Sequence, residues 1–176
     1  MTEPFDIAML ILRIGVGLVI LAHGVNHARG RERTTNWFAS IGFRQPAMQW
    51  FFSTATEIAV AVLLIIGLLT APAAAGLVAV MFVAFWTVHR KNGFFIFRPG
   101  EGWEYVATLA LTGLTMAIAG PGEISIDGVI EIDGTSVAAL LDGWVGAAIV
   151  AGGLVLAAVQ IATFFRPEEA TASEAS

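Results

Sequence analysis

Five long apolar runs, separated by short polar breaks, set the pattern of the chain. They cover roughly Phe5–His27, Ala47–Leu69, Pro72–His89, Trp103–Ala119 and Gly143–Phe165. A helix needs about 20 apolar residues to cross the hydrocarbon core of a bilayer, so each run is predicted as a membrane helix. The break between the second and third runs is only Thr70-Ala71-Pro72, which makes those two helices an antiparallel hairpin. Pro72 suits the first turn of a helix, where a missing N–H costs nothing. Gly120-Pro121-Gly122 cannot continue a helix and closes the fourth run.

Composition agrees with this pattern. Of 176 residues, 57% are hydrophobic and 13% charged, with a mean hydropathy of +0.79. Soluble domains carry about 25% charged residues, so the chain reads as an all-α integral membrane protein. It has no cysteine, which excludes thiol–disulfide chemistry and cysteinyl metal or iron–sulfur ligation by its own side chains. No nucleic-acid partner is expected. The N-terminus is acidic at Glu3 and Asp6 and its apolar run exceeds a signal h-region, so the first run is expected to stay as a helix.

Charge fixes an expected orientation. Arg29, Arg31, Arg33 and Arg44 follow the first run; Arg90, Lys91 and Arg98 follow the third; Arg166 follows the fifth. All fall on one side, and the opposite side carries Glu3, Asp6, Glu123, Asp127, Glu131, Asp133 and Asp142. The positive-inside rule then predicts a multi-pass protein of a bacterial plasma membrane, N-terminus outside and C-terminus cytoplasmic. In the acidic outer segment 123–142, β-branched residues alternate around an Asp-Gly pair and predict a small hairpin. The tail 167–176 is polar and acidic and is expected to be disordered.

Against this apolar background the ionisable residues stand out. Arg13 and Glu57 lie within spans, where a charge at the helix centre costs about 2.5–3.5 kcal/mol on insertion scales. Glu57 is ten residues from the start of its run and Arg13 fourteen from the end of its own. At about 1.5 Å per residue the difference is on the order of 6 Å, and a structural Arg13–Glu57 ion pair is expected. Helical spacing puts Arg13, Gly17, Gly24 and His27 on one stripe, with His23 at its flank. Glu104, Thr108, Thr112 and Thr115 form a second polar stripe, predicted to face a polar bundle interior. His23, His27, His89, Trp103 and Glu104 are expected at one level near the cytoplasmic face, as candidates for a quinone or proton site. His23 and His27 have the spacing to share a metal, but no third ligand is fixed, so no metal site is expected. A b-type haem between His23 and His89 is the less favoured reading.

The motifs Leu12-Arg13-Ile-Gly15-Val-Gly17, Leu21-Ala-His23-Gly24, Phe38-Ala-Ser-Ile-Gly42, Gly67-Leu-Leu-Thr70 after Glu57, Val88-His89, Asn92-Gly93-Phe94-Phe95, Gly102-Trp103-Glu104-Tyr105 and Gly120-Pro121-Gly122 occur in order. Together they resemble the DoxX family of small bacterial membrane proteins. The resemblance covers about Ile7 to Ile130 and implies a four-helix membrane core over 1–122. To it this chain adds the acidic loop 123–142 and a fifth transmembrane helix over 143–166. The residues matching the family's recurring positions are Arg13, His23, Glu57, His89, Trp103 and Glu104.

The family is named after a subunit linked to quinol oxidase and thiosulfate:quinone oxidoreductase activity. Some actinobacterial relatives are associated with an oxidoreductase complex containing a sulfurtransferase and a superoxide dismutase. The resemblance therefore implies a membrane subunit of a quinone-linked redox or thiol-homeostasis complex, with soluble or membrane redox enzymes as partners. A non-catalytic scaffold that docks soluble enzymes is the alternative, and whether the chain catalyses anything itself is left open by its residues.

Overall fold

In the computed structural model, which describes residues 3–167, the chain is a helical membrane bundle closed at one end by a small lid. The elements are α1 (Pro4–Arg29), α2 (Arg31–Ser40), α3 (Pro46–Ile66), α4 (Thr70–Ala84) with a π-helical turn at Phe85–His89, and α5 (Glu104–Ala119). The lid follows as α6 (Ile126–Val129), β1 (Glu131–Ile132), β2 (Thr135–Ser136) and α7 (Val137–Leu141), and α8 (Gly143–Phe164) ends the bundle. The tail beyond Pro167, expected to be disordered, lies outside the described residues.

Among the described residues, four helices are long and apolar enough to cross a membrane: Pro4–Arg29, Pro46–Ile66, Thr70–His89 and Gly143–Phe164. α5 is shorter, with 16 residues. It nonetheless runs the length of the bundle. At its start Trp103 meets Phe85 edge-on, with ring centroids 6.0 Å apart, and at its end Gly120 lies against Asp142. α4 is the hub, packing on α3, α5 and α8. Its small residues Ala71, Ala73, Ala74 and Ala75 are all buried, which lets neighbouring backbones approach closely. α8 buries only the stripe Gly146, Val150, Ala157 and Ile161, as suits a peripheral helix whose other faces meet lipid. Gly146 rests directly on the Ala117 carbonyl, so any side chain there would push α8 away from α5.

α2 departs from the sequence expectation, which placed a loop between the first two spans. Its charged residues hide it from hydropathy, but Thr34 and Phe38, four apart, are buried on one face. Beyond it, a bridge between Phe43 and Phe165 and the bonds Arg44 N to Phe164 O (2.8 Å) and Arg166 N to Gly42 O (2.7 Å) tie the end of α8 to the α2–α3 turn. The arginine-rich segments thus gather at one end of the bundle. The expected hairpin forms at the second Asp-Gly pair: Glu131 pairs Ser136 and Ile132 pairs Thr135 around Asp133-Gly134. Both turn residues have positive φ (52° and 79°), as a two-residue hairpin turn requires. The first pair, Asp127-Gly128, lies instead in the helical turn α6, where the Ser125 hydroxyl accepts from Gly128 N.

Candidate functional site

The expected Arg13–Glu57 ion pair does not form; each residue has other partners. Arg13 is fully buried, and its guanidinium donates to three backbone carbonyls. Nε reaches Pro121 O and Nη1 reaches Leu64 O, each at 3.1 Å, while Nη2 donates to Ile124 O. Asp127 supplies the opposing charge nearby. Its own carboxylate accepts from Leu69 N and Thr70 N, both at 2.8 Å, where the N-terminus of α4 favours an anion. Asp6 adds a third tie, accepting from Glu123 N at 2.9 Å. Three residues on or against α1 and α4 therefore stitch the lid to the bundle. Gly67 makes room for this arrangement: its φ is +68°, and a Cβ there would strike the Arg13 guanidinium.

The physical reason for the different pairing is helix register. The sequence argument aligned the end of α1 with the start of α3. In the fold, Gly17 lies on Ala61 and Ile65, and Gly24 lies on Glu57 and Ile58. Arg13 is therefore level with the end of α3, and Glu57 with the last two turns of α1. Eleven residues separate Arg13 from Gly24, which at helical rise is about 16 Å. α3 instead continues past α1 to lie along α2.

This register brings Glu57 to His27. Glu57 Oε2 lies 2.9 Å from His27 Nδ1, and the two side chains are 6% and 21% exposed. The approach is a close contact without aligned hydrogen-bond geometry, and neither atom has another partner among the described residues. His27 is held from behind, where Trp50 Nε1 donates to the His27 carbonyl at 2.9 Å and Arg31 stacks over the Trp50 ring at 5.0 Å. The pair borders a cavity of about 220 Å³ among α1, α2, α3, α4 and α8. Trp37, Phe38 and Phe52 provide aromatic walls, and Ser53, Thr87 and Gln160 add polar groups. Gln160 also donates to the buried Gln49 at 2.7 Å, linking α8 to α3. A mostly apolar wall with a few converging polar groups has the makeup of a small-molecule site.

The other residues expected at this site lie elsewhere. His23 is exposed and stacks on Tyr105, with ring centroids 6.3 Å apart. His89 Nδ1 is 2.8 Å from the Glu101 carbonyl, within the loop after the π-helical turn. Trp103 packs edge-on against Phe94 (4.7 Å) and Phe85, and faces an apolar groove between α4, α5 and α8. Glu104 starts α5, and its N–H donates to Phe94 O at 2.9 Å. The expected cluster is thus divided, and only His27 borders the Glu57 cavity. Nor do the α5 threonines line a polar interior. Thr108, Thr112 and Thr115 donate back to the carbonyls of Glu104, Thr108 and Leu111 at 2.7–2.9 Å, on the outer side of the helix.

Sequence reasoning missed Asp127, Asp6, Gln49, Gln160 and Trp50. The acidic pair were counted only as outside charges. A glutamine in an apolar span was the available signal for Gln49 and Gln160, since a buried amide needs a partner.

Comparison with known proteins agrees with the architecture. The DoxX family model matches residues 8–90, which span α1 to the π-helical turn and contain Arg13, His27 and Glu57. The chain is 29% identical over 127 residues to "Putative oxidoreductase CatD" of Bacillus subtilis, covering 72% of this chain and 90% of that protein. It is 28% identical over 130 residues to "Inner membrane protein YphA" of Escherichia coli, covering 69% and 89%. An uncharacterized protein of Haemophilus influenzae is 26% identical over 133 residues, covering 71% and 84%. No solved structure matches the chain. With five apolar helices in the order the motifs predicted and the family match across the first three of them, the chain is a membrane protein whose residues 8–90 form a DoxX-type segment.

Proposed function

We propose that this protein is a plasma-membrane subunit of a quinone-linked redox assembly, and that the quinone headgroup binds at the His27–Glu57 cavity. The observation that carries the reading is a buried carboxylate and an imidazole, both short of hydrogen-bond partners, on the wall of an aromatic-lined cavity. A quinone ring presents carbonyl oxygens that accept from imidazole, and a quinol presents hydroxyls that donate to a carboxylate. Apolar cavities of about 150 Å³ take up benzene, so about 220 Å³ admits a substituted six-membered ring. Leu156 and Ala157 of α8 on the same wall give a prenyl tail an apolar path along the helix. The B. subtilis relative's designation as an oxidoreductase fits this reading. The orientation that goes with it places the N-terminus and lid outside and the arginine-rich end in the cytoplasm, where a soluble redox enzyme would supply the electrons.

The test is to purify the protein in mild detergent from native membranes, extract it, and count quinone per chain against the bulk quinone-to-lipid ratio. Enrichment in the wild type that disappears in Glu57→Gln and His27→Leu is expected. Equal quinone in all three preparations, at the bulk ratio, would defeat the proposal.

A further inference from the structure

His27 borders two openings, and their chemistry differs. The first is the cavity just described, on whose wall Glu57 also lies. The second lies between the end of α1 and α2, has about the same volume, and is lined by Asn26, His27, Arg33, Thr34 and Trp37. His27 and Trp37 are common to both. The second opening is the richer of the two in polar side chains, though much of its surface is apolar: Arg33 Nη2 donates to Asn26 Oδ1 at 2.9 Å across an exposed surface. It sits at the arginine-rich end of the bundle, beside the charged helix α2. Glu57 lines only the first opening. Among the described residues, the His27 imidazole is the sole titratable side chain that both openings share.

We propose that His27 and Glu57 form a one-proton relay, taking protons from water in the Asn26–Arg33 mouth and delivering them to the ligand in the inner cavity. It rests on the reading of that cavity as a ligand site. Because Nδ1 is 2.9 Å from Glu57 Oε2, the other ring nitrogen, Nε2, is the one left to exchange with water. Nε2 accepts a proton from water and Nδ1 releases its own to the Glu57 carboxylate, so one proton enters and one leaves. Glu57, now a neutral acid, passes the proton to the bound molecule. A half-turn of the ring about Cβ–Cγ then turns the bare Nδ1 toward the mouth, where it takes the next proton from water. The return half-turn brings Nδ1–H back to the Glu57 carboxylate, one proton entering for each delivered. Trp50 holds the His27 backbone but leaves the ring free for that motion, since its bond is to the carbonyl.

The charged surroundings favour this direction. α2 contributes Arg33 at the mouth and Arg31 over Trp50, while α1 contributes His23 one turn away, directed to Tyr105. On the cavity wall α3 contributes Glu57 with neutral Ser53 and Thr56, the π-helical turn contributes neutral Thr87, and α8 contributes neutral Gln160. Among the described residues, no second carboxylate lines the cavity to compete with Glu57 for the proton.

The relay is tested on the full chain in lipid nanodiscs by time-resolved infrared spectroscopy after a pH jump. The carboxyl band of Glu57 is assigned by its loss in Glu57→Gln. His27→Phe keeps a ring in place but removes both nitrogens, and is expected to slow protonation of Glu57 by about 100-fold or more. Asn26→Leu with Arg33→Met leaves the pair intact, dries the mouth, and should slow the same band; it decides the matter if His27→Phe fails to fold. An unchanged rate in the mouth variant and in any folded His27→Phe overturns the relay, as does a Glu57 band that never responds to pH in the wild type. Quinone content, measured on the same samples, separates the two readings. Bound quinone with unaltered Glu57 kinetics sinks the relay alone, whereas a working relay in protein that never enriches quinone removes the quinone and keeps the proton path.

Discussion

Changing Arg13 to methionine separates the two accounts of why a guanidinium lies in the bundle. Methionine fills much of the stem's volume but donates nothing, so the carbonyls of Leu64, Pro121 and Ile124 lose their donor and Asp127 loses its counter-charge. Removing one member of a buried charged network costs about 3–5 kcal/mol. Three lost bonds to a charged donor, at about 1.5–3 kcal/mol each, would exceed that if no water entered. The lower range is therefore the expected loss, with the lid loosening to wet its freed carbonyls. The partner is identified by double-mutant cycles. Arg13→Met with Asp127→Asn should show a coupling of about 1 kcal/mol or more, because the two charges act on each other. Arg13→Met with Glu57→Gln should be additive within about 0.5 kcal/mol, because about 16 Å of helix separates the sites. The assay is reversible unfolding in mixed micelles followed by tryptophan fluorescence. A coupling above about 1 kcal/mol between Arg13 and Glu57, or a loss under about 1 kcal/mol for Arg13→Met alone, would refute the register and the lock built on it.

Further changes probe the same structure at other points. Gly67→Ala forces a side chain into a left-handed residue and into the Arg13 guanidinium, and should cost about 1–3 kcal/mol in the same unfolding assay. Thr108, Thr112 and Thr115 each bond their own helix on its outer side, so alanine at any of them should change stability by no more than about 0.5 kcal/mol. Gln160→Leu strands the buried Gln49 amide and should cost about 1–3 kcal/mol, most of it recovered when Gln49→Leu is added. The chain has no cysteine, so single cysteines can report sidedness without background. Val129→Cys in the lid should react with an impermeant maleimide on intact cells, and Phe97→Cys in the opposite loop only after the membrane is breached; both sites are well exposed.

How much of this was legible beforehand follows from what each signal measures. Hydropathy counts apolar residues along the chain, so it found every span and the tight turn at Thr70-Ala71-Pro72. It could not find α2, whose residues Arg31, Glu32 and Arg33 make it polar on average while Thr34 and Phe38 anchor it to α3. Periodicity tells which face of a helix a residue occupies, and it correctly grouped Arg13, Gly17, Gly24 and His27 on the side that meets α3. Height along a neighbouring helix is another matter. In α1 and α3 it is set by where Gly17 and Gly24 admit Ile65 and Ile58, a packing relation between two segments that neither segment encodes alone. The loop joining them contains a helix rather than a tight turn, so the span ends were no guide to register. That one displacement is why Arg13 meets the lid and Glu57 meets His27.

The two polar centres also differ in kind, and the difference bears on function. At the lid end each nitrogen of the Arg13 guanidinium and each oxygen of the Asp127 carboxylate has a partner: three carbonyls for the one, two amides for the other, and a glycine to admit them. A network whose charged atoms are all engaged is rigid, and the pocket beside Asp127 has no room for a further molecule. At the arginine-rich end the opposite holds. Glu57 is as deeply buried as Asp127 is capped, yet its one close contact is to an imidazole at a poor angle, and an open cavity lies beside it. Leaving a buried carboxylate under-satisfied is costly, and proteins tolerate that cost chiefly where the vacant bonding capacity is used. The polar residue that first draws attention in this sequence, Arg13, is therefore the structural one. The chemistry belongs with the pair at the other end, where hydrogen-bonding capacity is still open to a ligand or a proton.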